Sequence, residues 1–308
     1  MALGSGLKLP LKSLLLVIGG AATIYALVLL LSGDSTRSTR LGALWSPAGS
    51  LAAALCVLNY LLRGQRWRLW MAHYGRPLPP AQGLRLYLAG YTFTPTPGNV
   101  GEAARGLLMR QPLGAADSLA IFGAERLADL LALLLLTLPG LWWLAQLPVE
   151  AAWRLQFTLA AAAAGLLVLG LLYSFRWALF RRLPWLHAAW RCLATRPWRW
   201  LSLTLVAWAA QGLATWLICR ELGLSIDPLL ATGFYALAMV GGALSMLPAG
   251  LGGTEAMLTG LLVLQGASLA LALAVTVLVR LLTLWLAVAI GVLALLYSAA
   301  IRKDISLH

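Results

Sequence analysis

Leu247-Pro248-Ala249-Gly250-Leu251-Gly252-Gly253-Thr254-Glu255 interrupts a long stretch that is otherwise almost wholly apolar. Proline lacks an amide donor and glycine gains too much freedom, so a membrane helix cannot run comfortably through this stretch. Broken backbone at membrane depth is tolerated only where protein buries it or water reaches it. Glu255 follows at once, and an ionisable group at that depth marks a candidate functional site. A second copy of this chemistry stands upstream, Pro95-Thr96-Pro97-Gly98-Asn99-Val100-Gly101-Glu102. Seven positions separate Pro95 from Glu102, and seven separate Pro248 from Glu255.

The 308 residues are 61% apolar and 11% charged, which excludes an ordinary soluble domain. The apolar residues fall in runs long enough to cross a bilayer, so the fold class is an all-α polytopic membrane protein. The net charge of +13 gathers between the apolar runs. That pattern fits orientation by the positive-inside rule, with some attraction to anionic headgroups, and calls for no nucleic-acid partner. Cys56, Cys192 and Cys219 share no motif spacing, and His73, His187 and His308 are scattered. No disulfide framework, metal site or nucleophile–base pair is expected from them, and no cofactor.

The chain reads as one integral membrane domain, 1–308, in two halves of 1–150 and 151–308. Full spans are expected at about 13–31, 47–62, 117–144, 155–173, 201–218 and 269–298. The first follows Lys8 and Lys12 like a signal peptide, but it is too long and no small-residue cleavage site follows, so it reads as a retained span. Residues 84–94 and 256–265 are too short to cross. They predict two re-entrant helical hairpins, 81–112 and 228–266, each turning at a proline–glycine loop. In the first, 101–110 reads as a short returning helix. Arg63, Arg66, Arg68 and Arg76 mix with Trp67, Trp70 and Tyr74, which suits a helix end at the cytoplasmic interface. The arginines and tryptophans of 174–200 form the strongest basic, aromatic loop. With both termini also cytoplasmic, the hairpins enter from opposite faces, an inverted-topology repeat of the kind that frames transporters.

A spacing supports the repeat. Arg126 lies 24 residues after Glu102, and Arg280 lies 25 after Glu255, each on the following helix. Arg280 stands mid-helix, where a charge costs about 2.5–3.5 kcal/mol, so it needs a partner, and Glu255 is the first choice. Glu125 and Asp129 share a helix face with Arg126 nearby, which suggests an internally paired cluster near the headgroups. Each loop opens a helix whose first N–H groups have no intrahelical partner, a setting that suits a phosphate or carboxylate. Two roles stay open for Glu102 and Glu255. They could stabilise a helix start through its dipole, or pair with buried arginines and receive a cationic headgroup.

At these residues the chain resembles the flippase-like transmembrane family found in lysyl-phosphatidylglycerol synthases. The resemblance rests on Pro97-Gly98-Asn99-Val100-Gly101-Glu102 with Arg105, on Glu125-Arg126-Leu127-Ala128-Asp129, on Pro248-Ala249-Gly250-Leu251-Gly252 with Glu255, and on Arg280. It covers about residues 10–300. It implies a bacterial inner-membrane protein that handles a lipid. The family's two-part members add a soluble domain that makes an aminoacylated lipid. This chain ends at His308 without room for one, so aminoacyl transfer is not expected. Substrate contacts are then expected from Pro97, Gly98, Asn99, Gly101, Glu102 and Arg105, and from Glu125, Arg126 and Asp129 on the next helix. The second loop would add Ser245, Pro248, Gly250, Gly252, Gly253, Thr254 and Glu255, and the last helix Arg280.

The expected function is a lipid flippase, not an enzyme. It would move an anionic or modified headgroup, from a phospholipid or a polyprenyl- or hopanoid-related lipid, through a cavity between the hairpins. A separate lipid-modifying synthase and a second copy of the chain are the protein partners left open. The alternatives are an intramembrane enzyme or accessory subunit acting on a lipid-linked substrate, using Glu102, Glu125, Asp129 and Glu255 as acids and bases, and an ion-coupled carrier of a small solute.

Overall fold

A computed structural model describes residues 41–109, 113–147, 184–245 and 247–306. The spans expected at 13–31 and 155–173 lie outside the described residues, as do Arg110 and the arginines between 174 and 183. Among the described residues every regular element is helical.

The first described helix, α1, is Pro47–His73. Ser46 caps it by accepting from the Gly49 amide, and Pro47 suits the first turn because its missing N–H would have had no partner there. This corrects the expected boundary. The helix does not end near residue 62 but runs on through the basic residues, and Arg63 and Arg66 are buried against other helices.

The first hairpin consists of α2 (Pro80–Gly90), a 3₁₀ turn Tyr91–Phe93, and a return by a 3₁₀ helix, Pro97–Leu108. The return is therefore tighter and longer than the short helix expected at 101–110. In such a helix side chains three apart eclipse, which stacks Glu102 directly against Arg105. The next span is α3 (Ala115–Leu136) followed by α4 (Leu138–Ala145). The break at Thr137 has two causes: Pro139 offers no amide, and the Thr137 hydroxyl donates back to the Leu134 carbonyl at 2.7 Å.

In the second half α5 is Pro184–Ala194 and α6 is Pro197–Glu221. Then α7 (Pro228–Leu244), capped by Asp227, turns through Pro248–Gly250 into α8 (Gly253–Leu264). The arms α7 and α8 pack on each other as a helical hairpin. Their approach depends on glycine: a Cβ at Gly242 would collide with the Thr254 hydroxyl, and one at Gly253 would stand 2.8 Å from the Ser245 side chain. The last span is α9 (Leu269–Arg280), a π turn Leu281–Trp285, and α10 (Leu286–Ser306). Among the described residues three stretches are long and apolar enough to cross a membrane: Ala115–Ala145, Pro197–Glu221 and Leu269–Ala300.

Helices α1 and α6 form the central pair, joined by the Asn59 amide donating to the Ala207 carbonyl at 2.8 Å. Against this pair stand α7 and α3, with α5 lying across α3 where Gly123 admits the Trp185 ring. The two proline–glycine segments, far apart in sequence, touch: Pro97–Leu108 packs on Pro248–Gly250.

Candidate functional site

Each loop turns through left-handed backbone. Asn99 has φ 57° and Gly252 has φ 83°, and each precedes its glutamate by three residues. Ala249 is also left-handed, at φ 53°, with Gly250 beside it at φ 65°. An L side chain in that region is strained by roughly 1–3 kcal/mol. Ala249 and Asn99 hold it where the broken stretches meet.

Glu255 ends the second loop, and Arg280 reaches it from α9. The Arg280 Nε stands 2.7 Å from the Glu255 Oε1, and its Nη2 donates to the Ala249 carbonyl at 2.9 Å. Arg280 is only 2% exposed. The partner inferred from its mid-helix position is therefore the one it has. Binding the Ala249 carbonyl as well ties the strained turn to the last span. The π turn follows Arg280 directly, and Tyr60 from α1 donates to the Leu282 carbonyl there at 2.8 Å. Single π turns inside α-helices recur at functional sites.

Glu102 ends the first loop, and its partner from the next span is Arg126, at 3.4 Å. Spacing alone pairs Glu102 with Arg126 and Glu255 with Arg280, and both pairs form. The first is one edge of a larger network. Arg105 joins Glu125 at 2.6 Å and Glu102 at 3.6 Å, and the Thr94 hydroxyl donates to Glu102 at 2.8 Å. Asp129 receives Arg66 at 2.7 Å, Arg63 at 2.8 Å, Arg126 at 3.3 Å and the Trp208 indole at 3.1 Å. Glu125 and Asp129 are thus not chiefly paired within their own helix. The short bonds come from α1 and from the first hairpin.

Among the described residues the network holds four arginines and three carboxylates. Its surplus is one positive charge, buried among aromatic rings. Arg105 lies over the Tyr87 ring at 4.5 Å, and Arg63 over Trp208 at 5.1 Å. Several guanidinium N–H groups, Arg66 Nε and Nη2 and Arg105 Nη1 among them, donate to no protein acceptor. Such buried N–H groups are candidate donors to an oxyanion.

The other expected residues serve the turns. The Gly101 amide donates to the Thr96 hydroxyl at 2.9 Å, where a Cβ would stand 2.7 Å from Phe93. Ser245 donates to the Gly242 carbonyl at 2.6 Å, and Thr254 is fully buried against Gly242 and Gly250. Pro97 and Pro248 start their 3₁₀ segments, and Gly98 lies within the first. Outside the spans, burial pushes the Cys192 thiol up to about 11, which keeps it protonated at neutral pH.

Sequence reasoning missed Arg63 and Arg66, with Tyr60, Tyr91, Thr204 and Trp208 around them. A signal was present. Asn59, Arg63, Arg66 and Trp70 recur at steps of four, three and four, one face of a continuing helix.

The family model for the lysylphosphatidylglycerol synthase TM region matches residues 13–291. No curated protein matches the chain significantly. A family of membrane lipid proteins agrees with the helical fold and its apolar spans, and the protein belongs to the lysylphosphatidylglycerol synthase TM-region family.

Proposed function

We propose that the protein is a lipid flippase that carries an anionic or modified headgroup across a bacterial inner membrane. The observation that carries this reading is the contact between the two broken loops, each ending in a glutamate held by an arginine of the following span. Hairpins entering from opposite faces would meet at that contact. Their tips would shelter a polar headgroup while its tails remain in lipid. Six full spans with cytoplasmic termini give the two hairpins those opposite entries.

The charged groups suit the task. The arginine surplus of the first half attracts a phosphate, and carboxylates already paired with arginine keep the cations from binding it irreversibly. A headgroup that competes for Arg126 or Arg280 loosens one glutamate pair, and its departure restores the pair. The site so built moves a ligand without breaking a bond in it, so the protein acts as a carrier and not as an enzyme. The substrate is an anionic phospholipid or a polyprenyl- or hopanoid-related lipid, delivered by a separate lipid-modifying synthase or drawn from the membrane itself.

Reconstitution tests this directly. Labelled anionic lipid in proteoliposomes is expected to cross faster than in protein-free vesicles. Equal rates across a broad panel of anionic and polyprenyl lipids would refute the proposal.

A further inference from the structure

Outside the charged network, α2 and α10 enclose a groove of about 930 Å³. They pack on each other antiparallel, Gly291 against residues 88–92 and Tyr297 against Arg85. A Cβ at Gly291 would stand 2.6 Å from the Thr92 amide nitrogen and 2.9 Å from the Tyr91 carbonyl carbon. Only glycine allows that approach. From there the groove's lining extends to Pro79 on one side and Tyr297 on the other. Tyr297 lies toward the end of α10 whose sequence carries Arg302 and Lys303.

The walls are nearly all apolar: Leu84 and Leu88 face Ile290, Leu293 and Ala294. Among the described residues Arg85 is the one charged residue in the lining, with its guanidinium 5.7 Å from the Tyr297 ring centroid and its Nε without a hydrogen-bond partner. Tyr91, beside Gly291 where the two helices meet, has a hydroxyl that receives Arg63 at 3.3 Å. The groove thus lies between the basic end of the last span and the helix contact that borders the buried network.

We propose that this groove seats one anionic phospholipid of the leaflet at that basic end, with its phosphate on Arg85 and an acyl chain along Leu84, Leu88, Ile290 and Leu293. The volume lies within the range of ligand pockets. A lone cation in an otherwise apolar slot complements a molecule with one anionic end and an apolar body. An arginine grips a phosphate with two parallel N–H bonds, and the Tyr297 ring holds the guanidinium beside the slot. A merely reaching arginine, stretched to the surface for its own hydration, would bind no lipid selectively. The seat itself stands on the groove alone. Its service as the loading position for the network rests on the transport reading.

Native mass spectrometry of the full-length chain, taken from nanodiscs of equal phosphatidylglycerol and phosphatidylcholine, separates these cases. One phosphatidylglycerol is expected to be retained preferentially. Arg85→Ala should reduce that preference by about fivefold, the factor one arginine contributes near a membrane surface. Arg85→Lys should keep most of it, and Leu293→Trp should lower retention of both lipids together. Equal retention of the two lipids by the unsubstituted chain, or an unchanged preference in Arg85→Ala, would overturn the proposal. Selective retention without lipid movement in proteoliposomes would support the seat and remove only its role in transport.

Discussion

The two proline–glycine loops share an outline and differ in how they hold charge. Both turn through left-handed backbone, and both end in a glutamate gripped by an arginine from the next span. In the second half that arrangement stands as one short pair, Arg280 with Glu255 at 2.7 Å, anchored to a backbone carbonyl. In the first half the corresponding pair is longer, 3.4 Å, and belongs to a network of seven groups drawn from α1, the first hairpin and α3. The difference teaches that one loop is tied down by a short ion pair and a backbone anchor, while the other is embedded in a larger positive network. On the transport reading proposed above, a headgroup would be drawn to the first-half network and gated by the second-half pair.

Substitutions can break this contrast. Asp129→Asn should cost the most, because Asp129 anchors Arg63, Arg66 and Arg126 together. About 5 kcal/mol is expected, the upper end for stranding buried charge, read as a large fall in melting midpoint in detergent. Arg280→Met removes one buried guanidinium from Glu255, which keeps some exposure, and should cost about 3 kcal/mol. Adding Glu255→Gln to it should recover most of that loss, so the two single effects should be far from additive. Gly242→Ala, which drives a methyl into Thr254 and spreads the second hairpin, should cost about 1–3 kcal/mol. Arg126→Gln should cost least, about 1 kcal/mol or less, because its side chain is 29% exposed and the network retains other cations. If Arg126→Gln proves as damaging as Arg280→Met, the two halves are more alike than their geometry says.

Much of this was legible from residue types alone. Pro248 with three glycines, and Pro97 with Gly98, announce broken backbone because no helix absorbs them at such density. Arg280 announces a partner because no acidic residue stands near it in its own helix, and Glu255 was the carboxylate within reach. Arg63 and Arg66 were hidden for a physical reason. Arginine is a good helix former and also the commonest marker of a cytoplasmic loop, so a basic run fits both. Only the third dimension brings Asp129 up to them, and without that carboxylate their burial would be prohibitive. The 3₁₀ form of Pro97–Leu108 was equally hidden, since it depends on what the segment packs against.

The central claim is that the two loop tips border one pocket open in turn to either face. Val100 in the first tip is 53% exposed, and Leu247 at the second is 50% exposed, while Cys56, Cys192 and Cys219 are buried. In a chain with those three cysteines replaced by alanine, Val100→Cys and Leu247→Cys can each be challenged with a membrane-impermeant thiol reagent from either side of sealed vesicles. The account predicts that each new thiol is modified from both sides. Modification of either tip from one side only, with lipid present throughout, would contradict it.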